Sequence, residues 1–244
     1  MAKQIPRQTP SESPDKGPVR VRRGYFECRY GQLHLHNAMP PGGGFEEGTA
    51  LLCLHDCPGS GRMFAPFLAL AGRDRSVYAP DLPGFGESDA PAFPPALGDY
   101  VGALGDFLDA MRLRKLDVLG VRAGALLAGE LALTSGTRIG RVVMVSAPLS
   151  VPGERPAAGV AGDAPPWQRA LLEALAQYPA RERLARLTQR VLIVRPRDEL
   201  WDATGRLREL LPAARLLDLD LPGRELLAAS PGRLVEAVRD FLRA

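Results

Sequence analysis

Lysine is nearly missing from this chain, and histidine and cysteine are scarce. The lysines are Lys3, Lys16 and Lys115, so arginine carries almost all of the positive charge. The arginines are scattered among Asp and Glu, and the net charge is only +3. No basic run interleaved with aromatics appears, which argues against nucleic acid as a partner. No stretch approaches the roughly 18 apolar residues of a membrane span. The N-terminus lacks an apolar segment of the secretory kind, so a cytoplasmic location and no membrane partner are expected. The cysteines are Cys28, Cys53 and Cys57. No Cys/His spacing suits a zinc site, so neither a metal nor a cofactor is expected. Reduced thiols in or near strands, behaving as small buried hydrophobes, are the plain reading.

The histidines, His34, His36 and His55, all precede residue 56. His34 and His36 alternate with Leu33 and Leu35, so they share one strand face. An i, i+2 pair can ligate a metal, but no third ligand lies near in sequence. A solvent-facing strand pair is the expectation.

What is present is an ordinary globular composition, 45% hydrophobic and 24% charged, long enough for a substantial core. Residues 1–18 are polar and proline-rich and read as a flexible tail. From residue 19 to 244 strands and helices alternate. VRVRRGYFECRYGQLHLHNAM reads as two strands joined near Gly31. TALLCLH (49–55), SVYAP (76–80), LDVLG (116–120), RVVMVSAP (141–148), RVLIVRP (190–196) and ARLLDLDL (214–221) read as further strands. Several are continuous apolar runs, as expected of strands buried on both faces. Between them, residues 97–113 put Leu97, Tyr100, Val101, Leu104, Phe107, Leu108 and Met111 on one helical stripe. The last helix turns Leu234, Val235, Val238, Phe241 and Leu242 inward. The pattern predicts an α/β fold: a mostly parallel sheet of about eight strands with helices on both faces. Residues 150–189 form an insertion, loop-like at first and then helical, with a break near Pro179. Ligands of such sheets sit at the carboxyl ends of the strands, so the loops after His55, Pro80, Gly120, Pro148, Val194 and Leu221 should line one pocket.

Those loops carry a recognisable set. HDCPGSG (55–61), DLPGFGESD (81–89), VLGVRAGA (118–125), RPRD (195–198) and DFL (240–242) occur in order. Together they resemble the α/β-hydrolase-fold superfamily. The resemblance implies an oxyanion loop after the third strand, an Asp-x-x-Gly-x-Gly-x-Ser loop after the fourth, a nucleophile elbow, an acid-bearing loop and the closing helix. It also implies that the short insertion at about 150–189 is a cap over the pocket.

The chemistry of that family needs a nucleophile on a strained strand-to-helix turn. It needs a histidine as base, a carboxylate to orient that histidine, and two backbone N–H groups for the oxyanion. Gly120 and Gly124 flank the elbow here, but the nucleophile position is Arg122, and a guanidinium is not a nucleophile at neutral pH. Asp198 matches the acid position. The histidine position, in LPGRELLAASP, is Arg224. Asp56 stands where the oxyanion loop usually has glycine, while the N–H groups of Cys57 and Ala123 can still form the hole.

Arg122 at a helix N-terminus is disfavoured by roughly 0.3–1 kcal/mol, so it needs a partner. Either it pairs with Asp198 or Asp56, or it holds an anion together with the helix N-terminus. Arg224 has the same alternatives, with Asp198 as its natural partner. The resulting expectation is a degenerate member without Ser-His-Asp hydrolysis. It would bind a small anionic molecule or a protein partner through Arg122, Arg224, Cys57 and Ala123. The alternative is a hydrolase of esters, lactones or related small molecules using Asp56, Asp198 or Cys57. No feature fixes an oligomeric state.

Overall fold

The computed structural model describes residues 18–41, 49–149, 165–223 and 225–244. The expected tail, the first part of the insertion and Arg224 therefore lie outside the described residues.

Eight strands form a single sheet: β1 (Arg22–Cys28), β2 (Gly31–Ala38), β3 (Ala50–Leu54), β4 (Val77–Pro80), β5 (Leu116–Val121), β6 (Ile139–Val145), β7 (Arg190–Arg197) and β8 (Arg215–Pro222). Their spatial order is β1-β2-β4-β3-β5-β6-β7-β8. β1 and β2 form an antiparallel hairpin, β2 runs antiparallel to β4, and the pairs from β4 onward are parallel. This is the mostly parallel sheet expected from the apolar runs.

Alternation along the strands divides the core into two layers. Leu52 and Leu54 of β3, Val118 of β5, and Val142 and Met144 of β6 face one side. There they meet α2 (Leu97–Ala110), α3 (Ala123–Ser135), α4 (Pro166–Ala176), α5 (Ala180–Leu184) and α6 (Trp201–Leu210). Leu51, Cys53, Leu119, Val121, Val143 and Val145 face the other side. That layer is closed by α1 (Ala65–Ala71), α7 (Glu225–Ala228) and α8 (Pro231–Arg243). The terminal helix buries Leu234, Val235, Val238, Phe241 and Leu242, the stripe its spacing predicts. In α3 both apolar and polar positions are covered, and Glu130 is buried. Its carboxylate accepts from Tyr178 Oη at 2.9 Å and from Arg183, so a charge inside the helical layer is satisfied by the α4–α5 segment.

The chain reverses its winding direction around β3: β4 lies on one side of it and β5 on the other. A crevice at the carboxyl ends of β3 and β5 follows from that reversal. The register pairs Leu54 with Gly120, so the residues just past those two strands meet there.

One expectation is corrected. His34 and His36 do not face solvent; they are 1% and 8% exposed. Strand alternation put them on one face correctly. What covers that face is the loop after β4, whose Asp81 approaches His34 Nδ1 to 3.0 Å, 47 residues away in sequence. Cys53 and Cys57 are buried and Cys28 is half-buried, all as free thiols.

Leu52 is fully buried at the centre of the sheet. Leu52→Ala should cost about 2–5 kcal/mol, read as a lower urea midpoint with an unchanged slope.

Candidate functional site: a self-filled oxyanion pocket

The elbow survives in full. Gly120 is the penultimate residue of β5 and Gly124 lies in the first turn of α3. A Cβ on Gly120 would stand 2.0 Å from the Gly124 carbonyl oxygen, and one on Gly124 would stand 2.1 Å from that of Leu54. No side chain fits at either place. Between them Arg122 adopts φ 54° and ψ −115°, a left-handed backbone rarely open to a non-glycine residue. It is held by Arg122 N–H donating to Val145 O at 2.8 Å and Ala125 N–H donating to Arg122 O at 2.9 Å. The turn is built as if to present a nucleophile, and what it presents is a guanidinium.

Three carboxylates surround that guanidinium. Arg122 Nε lies 2.9 Å from Asp56 Oδ2, one terminal nitrogen lies 2.6 Å from Glu199 Oε1, and the other lies 3.8 Å from Asp198 Oδ2. Burial alone lowers the Arg122 pKa, but Glu199 and the charges of Asp56 and Asp198 outweigh it and hold Arg122 above its ordinary value. It remains a fixed cation.

The other oxygen of Asp56 is the decisive atom. Asp56 Oδ1 accepts from Cys57 N–H at 2.7 Å and from Ala123 N–H at 3.3 Å. These are the two N–H groups the sequence assigns to the oxyanion hole. The chain's own carboxylate fills the position between those two N–H groups, with Arg122 clamping its far side. Burial pushes the Asp56 carboxyl above its ordinary value, and Arg122 and the two N–H groups pull it back. Being at the start of α3, this anion also meets the positive end of the helix, which offsets the cost of placing Arg122 there.

Asp198 is held elsewhere. Its Oδ2 accepts from Ser146 Oγ at 2.7 Å and its Oδ1 from Leu200 N–H at 2.9 Å. Ser146 also has a positive φ of 48°. Gly223 packs against Asp198; a Cβ there would stand 2.4 Å from Oδ2. The chain segment leading to Arg224 therefore passes the acid position as the resemblance implies, although Arg224 itself is outside the described residues.

The remaining candidates are not poised for chemistry. Cys57 is buried, and burial followed by the nearby Asp56 pushes its thiol up to about 12. Its Sγ lies 3.8 Å from the Gln168 carbonyl. A thiol that stays protonated is a poor nucleophile. His55 is fully buried. Its Nε2 accepts from Leu82 N–H at 2.9 Å, which leaves Nδ1–H to donate to Asp56 O at 2.7 Å. Both nitrogens are spent and burial lowers the pKa of the ring, so it is a neutral strut. The structure thus brings Asp56, Cys57, Arg122, Ala123 and Asp198 together, as expected. It adds Glu199 and Ser146, which the sequence reading passed over. Their signals were adjacency to Asp198 in RPRDEL and position at the end of a buried strand.

A family model described as "alpha/beta hydrolase fold" matches residues 49–192. The chain belongs to the α/β-hydrolase fold family. Curated relatives include the proteins named 1-acylglycerol-3-phosphate O-acyltransferase ABHD5 of Mus musculus, 31% identical, and of Rattus norvegicus, 29% identical. Each match covers 67% of this chain and 45% of the relative, so the aligned segment spans less than half of those proteins. Among solved structures, the enol-lactonase of Burkholderia xenovorans LB400 superposes with a TM-score of 0.75 at 17% identity. That match covers 91% of this chain and 100% of the lactonase, and at this identity the likeness concerns the fold alone.

The clamp is testable as a coupling. Asp56→Asn and Arg122→Gln should each destabilise by about 2 kcal/mol, between the values for exposed and for buried pairs. The double variant should recover about 1 kcal/mol or more relative to the sum. Urea unfolding of the four proteins gives the cycle, and strict additivity would show that the two side chains do not depend on each other.

Proposed function

We propose that this is a non-hydrolytic α/β-hydrolase-fold protein that acts by binding at its remodelled pocket, in the first place to a protein partner. One observation carries the reading: the Asp56 carboxylate occupies both N–H groups of the oxyanion site and is clamped there by Arg122. Acyl-transfer chemistry depends on those donors meeting charge that develops in the transition state. Here a carboxylate of the chain already occupies them. A tetrahedral oxyanion beside it would face a like charge.

The absence of a base supports the same reading. His34 and His36 lie on β2, and His55 has both nitrogens engaged. The acyl transfer to 1-acylglycerol-3-phosphate in the name of the curated relatives needs an activated hydroxyl or thiol. No such group stands at the elbow, so that activity is not carried over to this chain.

Of the two occupants considered, a small acidic ligand has the harder task. It would have to displace Asp56 and then bear its repulsion, with Asp198 and Glu199 close by. A protein partner needs no such displacement. The rim of the site offers a depression of about 570 Å³ lined by Arg197, Asp198 and Trp201. The Arg195 guanidinium stacks on Trp201, 4.0 Å from the ring centroid, and Glu199 is exposed beside it. Arginine and tryptophan are the residue types that anchor protein interfaces.

Two measurements test this. Against a panel of ester, thioester, lactone and amide substrates, the protein should show no turnover above background. Arg122→Ser should show none either, because an elbow serine still lacks a base; turnover that falls in Asp56→Asn or Asp198→Asn would overturn the reading. In thermal denaturation with phosphate and small carboxylates, the wild type should not shift. Asp56→Ala, which frees Arg122 and the two N–H groups, should gain. Tenfold excess over Kd would raise Tm by roughly 3–6 °C. A wild-type shift of that size would favour the anionic ligand.

A further inference from the structure

On the other side of the β4 loop, away from the elbow, lies a cluster that the pocket does not use. His34, His36 and Asp81 are all buried, and their ligand atoms lie within 4.8 Å of one another. The two histidine rings stand edge to face with centroids 4.7 Å apart. Asp81 is fully engaged: Oδ1 accepts from Gly61 N–H at 2.6 Å, and Oδ2 accepts from Glu87 N–H at 2.9 Å. Its Oδ2 also takes the His34 Nδ1 proton at 3.0 Å. That contact fixes the His34 tautomer. It leaves Nε2 with a lone pair, and this atom is buried without a hydrogen-bond partner. A carboxylate does reach toward it: Glu87 Oε2 stands 3.9 Å from Nε2 and is oriented by the Tyr25 hydroxyl at 2.9 Å.

This is the arrangement of a metal ligand with its supporting partner. A ligating imidazole commonly donates its other N–H to a carboxylate, which orients the ring and raises its basicity. An orphaned buried nitrogen has a cost that a metal would remove. The geometry points to a site for a divalent transition metal of the zinc type, bound at His34 Nε2 and Glu87, which lie 3.9 Å apart, with His36 as the adjoining imidazole and Asp81 as the orienting carboxylate. Two imidazoles and a carboxylate suit zinc, and a water can fill the fourth place. The nearest cation, Arg23, lies 3.9 Å from Glu87 with its side chain 67% exposed, so it is free to turn aside. The metal would pin β2 to the 81–89 loop. The inference is independent of the proposed function.

Only three histidines exist in the chain, and His55 is committed on both nitrogens, so histidine-dependent uptake reports this cluster. The test is calorimetric titration of the untagged, chelator-stripped full chain with Zn²⁺ alone, supported by Co²⁺ visible absorption for nitrogen ligation. One Zn²⁺ per chain is expected. His36→Gln should weaken binding at least tenfold, and Glu87→Gln about tenfold. The Glu87 side chain is 54% exposed, so that variant keeps the fold and decides the matter should His36→Gln fail to fold. No uptake at millimolar Zn²⁺, or an unchanged Kd in Glu87→Gln, overturns the assignment.

Discussion

The pairing of Arg122 with Asp56 is the constraint on which the rest of the pocket depends. A strained elbow at the head of α3 aims its central side chain at the crevice between β3 and β5, whatever that side chain is. When it is arginine, a cation is forced toward the positive end of a helix and partly out of water. Neither condition is tolerable without a counter-charge. The sheet register solves this directly. Because Leu54 and Gly120 are partners, the second residue after each lies opposite the other, and those residues are Asp56 and Arg122. Asp56 answers both requirements with its two oxygens, one on the guanidinium and one on the N–H groups at the helix start.

Asp56 and Arg122 are therefore best understood as one interdependent pair. Without Asp56, Arg122 would keep only the exposed Glu199 and the more distant Asp198 as counter-charges. Asp56 alone would add a carboxylate to a site that already holds Asp198 and Glu199. Together they close a network in which the oxyanion donors are satisfied inside the chain. Removing Asp56 from this network would leave two backbone N–H groups without their acceptor and strip the guanidinium of its Nε partner.

Much of this was legible in the sequence, and the reason differs from part to part. The strands showed as apolar runs because a sheet covered on both faces has no polar side to interrupt them. The elbow showed because its glycines are demanded by backbone contacts of about 2 Å, which no other residue survives. Asp56 and Arg122 showed as departures from a pattern. Sequence could not choose between an internal pair and a bound anion, because that depends on where the Asp56 carboxylate turns after β3. The burial of His34 and His36 was not legible either. Alternation assigns two residues to one face, but the loop that covers this face comes nearly fifty residues later. Glu199 escaped because one acidic residue beside another looks like surface charge until the fold aims it at Arg122.

The best-preserved family motif, the 81–89 loop, is also the one that says least about catalysis. Asp81 accepts from Gly61 and Glu87 backbone N–H groups and from His34, the Ser88 hydroxyl donates to Asp81 O at 2.8 Å, and His34 N–H donates to that hydroxyl's oxygen at 2.9 Å. Leu82 N–H holds His55. A Cβ at Gly86 would stand 2.0 Å from Asp81 Oδ2, so the glycine is required for the carboxylate to sit there. These bonds fasten the loop after β4 to β2 and to the 55–61 loop, and thereby fix where the Cys57 N–H points. The motif would be needed whether that N–H met a substrate oxyanion or, as here, an aspartate of the same chain. Its presence argues for the fold and is neutral about the reaction, because the contacts it makes position the backbone around residues 56 and 122 without choosing the side chains there.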